Sequence, residues 1–136
     1  MASTGRGFRP HMVAALLDES LETLKYWRRH VLPGPSRALY TGRELIALRI
    51  IKAIRRDSLF TPNRLKRYPL QTLFDFCRSQ PLARLRTHYL VLDEATQTLS
   101  FHPSDAPPTL LKRGVFYVDL GPILAEHDLA VANLGE

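Results

Sequence analysis

Cations and aromatic rings are concentrated in residues 20–30, which read Ser-Leu-Glu-Thr-Leu-Lys-Tyr-Trp-Arg-Arg-His. Lysine and arginine neutralise phosphate charges, and hydroxyl groups donate hydrogen bonds to phosphate oxygens. Side chains near the start of a helix that enters the major groove can also contact base edges. These residue types therefore predict a surface that binds duplex DNA. The alternative is an ordinary helix with a solvated basic face.

Residues suited to catalysis or metal binding show no organised pattern. The five histidines have no ligand spacing, and the chain has no glycine-rich phosphate loop, nucleophile motif or paired carboxylates. His88 and His102 would face each other across a hairpin, but two histidines alone make a poor metal site. Cys77 lies in an apolar run, which favours a buried thiol over a nucleophile. The sequence predicts a protein that is not an enzyme and has no cofactor or metal.

Charge is distributed unevenly along the 136 residues. Residues 1–67 hold 14 Lys and Arg against 5 Asp and Glu, whereas residues 68–136 hold 5 against 8, and the net charge is +6. This asymmetry predicts that the first half meets the polyanion and the second half does something else. Without an apolar run of about 18 residues or a secretory signal, the chain is expected to be cytoplasmic and to span no membrane.

Two helices joined by a short turn are predicted near the start of the chain. Residues 11–17 form the first, and Ser20 is a suitable N-cap for the second. In that second helix Leu21, Leu24 and Trp27 recur at helical spacing, so we expect all three to face the core. Residues 33–35, Pro-Gly-Pro, end the helix.

A longer helix is predicted from Thr41 to about residue 57. Thr41 and Glu44 have the spacing of a capping box. The expected apolar face consists of Leu45, Leu48, Ile50, Ile51 and Ile54. The cations expected to stay in solvent are Arg43, Arg49, Lys52, Arg55 and Arg56.

The second half predicts a small sheet. Residues 87–92 and 98–102 have the pattern of a hairpin, residues 115–120 form a third strand, and a short helix follows at 123–131. Three strands and one helix cannot bury both faces of the sheet. We therefore expect this region to pack on the first half or on a second copy of itself.

The stretch VAALLDESLETLKYW, from Val13 to Trp27, resembles the helix-turn-helix of the MerR family of DNA-binding proteins. The wing of that family, with an arginine, a tyrosine and a threonine before an acidic residue and an apolar helix, is similar to Arg37, Tyr40 and Thr41 here. The resemblance covers about a third of the chain. It implies a winged helix-turn-helix that binds double-stranded DNA as a homodimer.

Four departures from the family pattern are evident, and one of them is a short wing. Asp18 replaces the usual glycine of the turn, so the turn either holds a strained left-handed residue or has another shape. Residues 68–136 lack the heptads of a dimerising coiled coil. The cysteines of metal-sensing members are missing.

Together these observations predict an α+β fold with three parts: a flexible basic arm (residues 1–10), a MerR-like winged helix-turn-helix (11–78), and a small α+β region for dimerisation or partner binding (79–136). The latter contains a three-stranded region and a short C-terminal helix. The predicted DNA-binding residues are Ser20, Glu22, Thr23, Lys25, Tyr26, Arg28, Arg29, Arg37, Tyr40 and Arg43. Trp27 is expected to be core.

The predicted function is sequence-specific regulation of transcription by a homodimer, as a repressor or autoregulator. Two alternatives remain open. One is an architectural DNA-binding protein of the excisionase or phage terminase small-subunit type. The other is an antitoxin-like protein whose second half binds a protein partner.

Overall fold

Seven helices and three strands make up the parts of the chain that the computed structural model describes, namely residues 7–30, 40–58, 62–105 and 115–134. The elements are α1 (Pro10–Leu17), α2 (Leu21–His30), α3 (Gly42–Ser58), α4 (Pro62–Leu65), α5 (Leu70–Ser79), α6 (Leu82–Arg86), β1 (His88–Asp93), β2 (Thr98–Pro103), β3 (Val115–Asp119) and α7 (Leu120–Leu134). The predicted α+β class is confirmed.

The sheet is antiparallel throughout, with the strand order β2-β1-β3. Leu90 of β1 lies opposite Phe101 of β2 and Val118 of β3, and Leu92 lies opposite Leu99 and Phe116. Because side chains alternate along a strand, these apolar residues share one face. That face supplies the part of the core contributed by the second half.

Helix α3 is the centre of the core. Its buried side chains include Leu45, Leu48, Ile50, Ile51 and Ile54, as predicted. It contacts α1, α5, α7 and β3, and one cluster of buried residues extends from Val13 to Leu124. Of the two predicted ways to cover the sheet, packing on the first half of the chain is therefore the one observed.

Two predicted burial assignments were wrong. Arg49 was expected in solvent, but only 5% of it is exposed, because α7 packs against α3 on its side. Leu21 was expected in the core, yet 37% of it is exposed. The buried sector of α2 is centred between Leu24 and Trp27, so Leu21 lies at its margin.

Residues 7–10, which were assigned to the flexible arm, belong to the fold. Phe8 and Tyr40 form an antiparallel bridge in which the Phe8 N–H donates to the Tyr40 carbonyl at 2.7 Å and the Tyr40 N–H to the Phe8 carbonyl at 2.8 Å. Pro10 then begins α1, where its fixed φ suits the first helical position. The segment before α1 is thus joined to the start of α3.

Candidate nucleic-acid interface

The turn between α1 and α2 has left-handed geometry at Asp18, with φ 56° and ψ 48°. The N–H of Asp18 donates to the Ala15 carbonyl at 3.1 Å, and the N–H of Glu19 donates to the Ala14 carbonyl at 2.9 Å. Aspartate is one of the few residues other than glycine that adopts this conformation. Of the two shapes left open for the turn, the structure therefore has the left-handed one.

Helix α2 begins with the predicted cap. Ser20 Oγ accepts a hydrogen bond from the Thr23 N–H at 3.0 Å, and the Ser20 and Thr23 hydroxyls lie 2.9 Å apart. This bond satisfies one of the free amides of the first helical turn. The cap fixes where α2 starts and therefore which of its residues lie closest to its N-terminal end.

The orientation of α2 is fixed by two buried side chains. Leu24 and Trp27 are each 1% exposed, which confirms that Trp27 is core. On the opposite face Glu22, Lys25, Tyr26 and Arg29 are all exposed. Their spacing of three, four and seven residues places them on one stripe. We call these four residues the α2 outer stripe.

The remaining predicted residues of α2 flank this stripe. Thr23 and Arg28 are half-buried, and the rings of His30 and Tyr26 are in tilted contact, with centroids 4.6 Å apart and planes at 43°. Arg28, Arg29 and His30 lie in the last turn, where positive charge is stabilised by the helix dipole. This structural benefit does not require DNA.

The charges of the outer stripe are only weakly neutralised within the protein. Lys25 Nζ lies 4.0 Å from Glu22 Oε1, but both side chains are largely in solvent, at 49% and 86% exposed. Such an exposed pair contributes about 0 to 1 kcal/mol and dissociates readily. Lys25 therefore remains available to an external anion.

Two cations on α3 hold the end of α1. Arg49 Nη2 donates to the Leu16 carbonyl at 2.6 Å. Lys52 Nζ donates to the Leu17 carbonyl and lies 3.6 Å from Glu19 Oε2. The last turn of α1 has no basic residue of its own, so α3 supplies the cations that its free carbonyls accept from. Sequence reasoning missed this role, and the lack of a basic residue in α1 was the only local signal.

Two of the predicted DNA-binding residues, Tyr40 and Arg43, lie elsewhere. Tyr40 is 4% exposed and belongs to the core, so its position does not suit a phosphate contact. Arg43 donates from Nη1 to the Cys77 carbonyl at 2.9 Å and the Gln80 carbonyl at 2.5 Å, which commits it to the end of α5. Arg37 falls outside the described residues.

The predicted capping box of α3 is confirmed and extended. Glu44 Oε1 accepts from the Thr41 N–H at 2.9 Å, and Thr41 Oγ1 accepts from the Glu44 N–H at 3.1 Å. The second carboxylate oxygen of Glu44 accepts from Arg78 Nη2 at 3.2 Å. The start of α3 is thereby tied to α5.

The candidate catalytic and metal-binding residues do not come together. His102 lies opposite Tyr89, one position from His88, so the two histidines occupy opposite faces of the sheet. Cys77 is buried, and burial raises the pKa of its thiol to about 12, although Arg43 and Arg78 oppose that shift. Within the described ranges, no three His, Cys, Asp or Glu side chains are arranged to hold a metal ion.

Comparison of the sequence with protein-family models gave no match, and no curated protein is significantly similar to it. None of the described helices has the length and apolar character needed to cross a membrane.

Proposed function

We propose that this protein binds double-stranded DNA through the outer stripe of α2 and regulates transcription. The observation that carries the proposal is the exposure of Lys25, Tyr26 and Arg29 on one face of a helix whose opposite face is locked by Leu24 and Trp27. The α1–α2 pair acts as a helix-turn-helix of MerR-like type in this proposal. Its support is the left-handed turn at Asp18, the cap at Ser20 and the bridge between Phe8 and Tyr40.

In this proposal Lys25, Arg29 and the Tyr26 hydroxyl contact the phosphates. Cations dominate the affinity of such contacts, because each neutralised phosphate releases counterions. Arg28, at the flank of the stripe, would reach a neighbouring phosphate. The hydroxyl of Tyr26 adds a directed hydrogen bond without sequence preference.

In the same proposal the first turn of α2 recognises the bases. The side chain of Glu22 is 86% exposed, and its carboxylate suits the amino group of cytosine in the major groove. The hydroxyl groups of Ser20 and Thr23 are hydrogen-bonded to each other, so both are oriented before DNA binds. The Glu22 carboxylate also repels phosphates. DNA sequences that offer it a cytosine amino group are therefore favoured over others.

The proposed regulator acts as a homodimer. One short helix contacts only a few base pairs, and a two-fold dimer doubles the recognised length. Selection of bound fragments from random duplexes is then expected to yield inverted repeats with half-sites about 10 base pairs apart, or a multiple of that distance. Sequences without two-fold symmetry, together with a monomeric mass on DNA in sedimentation experiments, would contradict the dimer.

Salt dependence provides the direct test of the interface. Fluorescence anisotropy with a labelled duplex would be measured from low to high salt for the wild-type chain, for Lys25→Ala and for Arg29→Ala. Each variant is expected to bind all sequences more weakly and to flatten the logarithmic salt slope by about one unit for each lost contact.

Arg84→Ala is the matched control, since Arg84 is also an exposed arginine, lies on α6 and donates from its side chain to that of Gln80. It removes the same charge but is expected to leave the slope unchanged. If the control and the stripe variants behave alike, binding depends on net charge rather than on α2, and the proposed interface is wrong.

A further inference from the structure

An open cavity of about 230 Å³ lies between α2, α3 and the turn that precedes α2. Its lining residues are Glu19, Trp27, Lys52, Arg55 and Arg56. Among these described lining residues three are cations and one is an anion, so together they carry a net positive charge. It is distinct from the α2 outer stripe, because Trp27 belongs to the opposite, buried face of that helix.

Two hydrogen-bond donors of the lining residues lie beneath the surface of this cavity, where solvent does not reach them. Trp27 Nε1 and Arg55 Nε are both buried, and no acceptor within the described parts of the chain is in hydrogen-bonding range of either. The Arg55 guanidinium carbon lies 5.8 Å from the centroid of the Trp27 ring, so the two side chains are adjacent. Buried donors normally have partners, because leaving one unsatisfied is costly.

Lys52 is already engaged within the protein, whereas the described parts of the chain offer Arg55 Nε no hydrogen-bond acceptor. Lys52 donates to the Leu17 carbonyl and pairs with Glu19. Arg55 has the Trp27 ring beside it, and its planar guanidinium suits an oxyanion that accepts two parallel hydrogen bonds. An anion that reached the terminal nitrogens of the Arg55 guanidinium would be close to the positive charges of Lys52 and Arg56.

We propose that this cavity is a binding site for a small anion that carries a phosphate group. The volume is smaller than the roughly 300 to 1,000 Å³ of sites for drug-sized ligands, so a phosphate or a short phosphorylated molecule fits better than a large cofactor. The phosphate belongs either to a free small molecule or to the backbone of a bound duplex. The shared chemistry is an oxyanion held by the Arg55 guanidinium and the charges of Lys52 and Arg56.

Glu19 links this site to α2. It lies in the turn before α2, and its carboxylate is 3.6 Å from Lys52 Nζ. A bound phosphate would compete with Glu19 for Lys52 and so alter the contact that holds the turn. Regulation of DNA affinity by this route rests on the proposed function, whereas anion binding itself does not.

The experiment uses Trp27 as the reporter, since it is the single tryptophan of the chain. The full chain would be titrated with inorganic pyrophosphate, without DNA, while its fluorescence is followed against sodium chloride at equal ionic strength. We expect a saturable change with pyrophosphate only. Arg55→Gln is expected to weaken pyrophosphate binding at least tenfold, and Arg84→Gln to leave it unchanged.

Glu19→Gln provides a variant with the opposite expected sign. Removing the one anion of the cavity is expected to tighten pyrophosphate binding several-fold, which general destabilisation would not do. Circular dichroism of each variant checks that it is folded. An unsaturable change that chloride reproduces, or equal affinities for the Arg55 and Arg84 variants, would overturn the proposal.

A second arm identifies the source of the phosphate. If pyrophosphate displaces a labelled duplex and Arg55→Gln weakens DNA binding, the cavity receives a backbone phosphate. If pyrophosphate and DNA bind together, the ligand is a separate small molecule. Saturable pyrophosphate binding without any DNA binding would leave the anion site standing and remove the proposed function, so the two failures are distinguishable.

Discussion

Helices α2 and α3 are both rich in cations, but the environments of those cations differ. On α2, Lys25 and Arg29 point to solvent from a face that no described element covers. On α3, Arg43 and Arg49 point to backbone carbonyls at the ends of other helices, and Lys52 does the same. The same residue types thus serve an open surface in one helix and the internal connections of the fold in the other.

This difference shows that a cation close to the carbonyl end of a neighbouring helix bonds to that end, whereas a cation far from any such end stays in solvent. The last carbonyls of a helix lack partners within it, and a cation from a neighbouring helix satisfies them. A hydrogen bond from a charged donor contributes about 1.5 to 3 kcal/mol, whereas an exposed ion pair contributes about 0 to 1 kcal/mol. Stability and the proposed DNA binding therefore depend on separate sets of cations.

The largest expected effect is a loss of stability in Arg49→Ala that Arg29→Ala does not share. Loss of Arg49 leaves the Leu16 carbonyl without its donor and frees Glu126, which now accepts from Arg49 Nη1 at 3.3 Å. We expect the free energy of unfolding to fall by about 2 to 3 kcal/mol. Arg29→Ala is expected to change it by less than about 0.5 kcal/mol. Urea denaturation measures both, and equal losses would abolish the distinction between the helices.

The next effect concerns the turn that joins α1 to α2. A β-branched residue is poorly suited to the left-handed backbone of Asp18, so Asp18→Val is expected to lower the free energy of unfolding by about 1 to 2 kcal/mol. Asp18→Gly is the control, because glycine adopts this conformation without a steric penalty. Thermal unfolding of the two variants gives the comparison. A valine variant as stable as the glycine variant would argue against the left-handed turn.

A smaller effect is expected at the cap of α2. Ser20→Ala removes the hydrogen bond to the Thr23 N–H and is expected to cost about 1 kcal/mol. Ser20→Asp retains an acceptor and serves as its control in the same denaturation experiment. An alanine variant that unfolds at the wild-type urea concentration would show that the cap is dispensable.

The smallest effect is a pH dependence of stability at His127, to which the buried Arg49 of α3 contributes. Burial lowers the pKa of His127, and the charges of Arg49 and Arg86 lower it further, while Asp128 opposes them. The pKa of His127 is thus lower in the folded chain than in the unfolded chain. The contribution of neutral His127 to stability is therefore complete above the unfolded value of 6.5, and it declines as the pH falls towards the folded value.

The decline in stability is at most about 1.4 kcal/mol per pH unit for one proton. We expect His127→Gln to flatten the fall in melting temperature between neutral and mildly acidic pH. His11→Gln, at an exposed position on α1, is the matched control. A wild-type slope in the His127 variant would exclude this residue as the origin of the pH dependence.

Local patterns predicted much of this structure. The cap at Ser20 and the capping box of Thr41 and Glu44 depend on residues three positions apart, so the sequence contains both partners. The strands were also predicted, because alternation and turn residues are local, although α7 begins at Leu120 rather than at residue 123. There the Gly121 N–H donates to the side chain of Asp119 at 3.1 Å.

Contacts between distant residues were not predictable in this way. Arg43 bonds to carbonyls 34 and 37 positions away, and Arg49 bonds to Leu16 and Glu126. Nothing in the residues around either arginine indicates those partners. The outer stripe of α2 could be predicted because Leu24 and Trp27 define its opposite face locally. The cavity beside Trp27 could not, since it requires the packing of α3.

Arg49 also determines how this molecule can be divided for study. It contacts the first helix and the last one, since Glu126 belongs to α7 and Leu16 to α1. A fragment truncated before α7 would expose the apolar side of α3 to water and remove one partner of this arginine. Substitutions in the last helix can thus perturb the first, so mutational tests of the proposed DNA binding should include both α1 and α7.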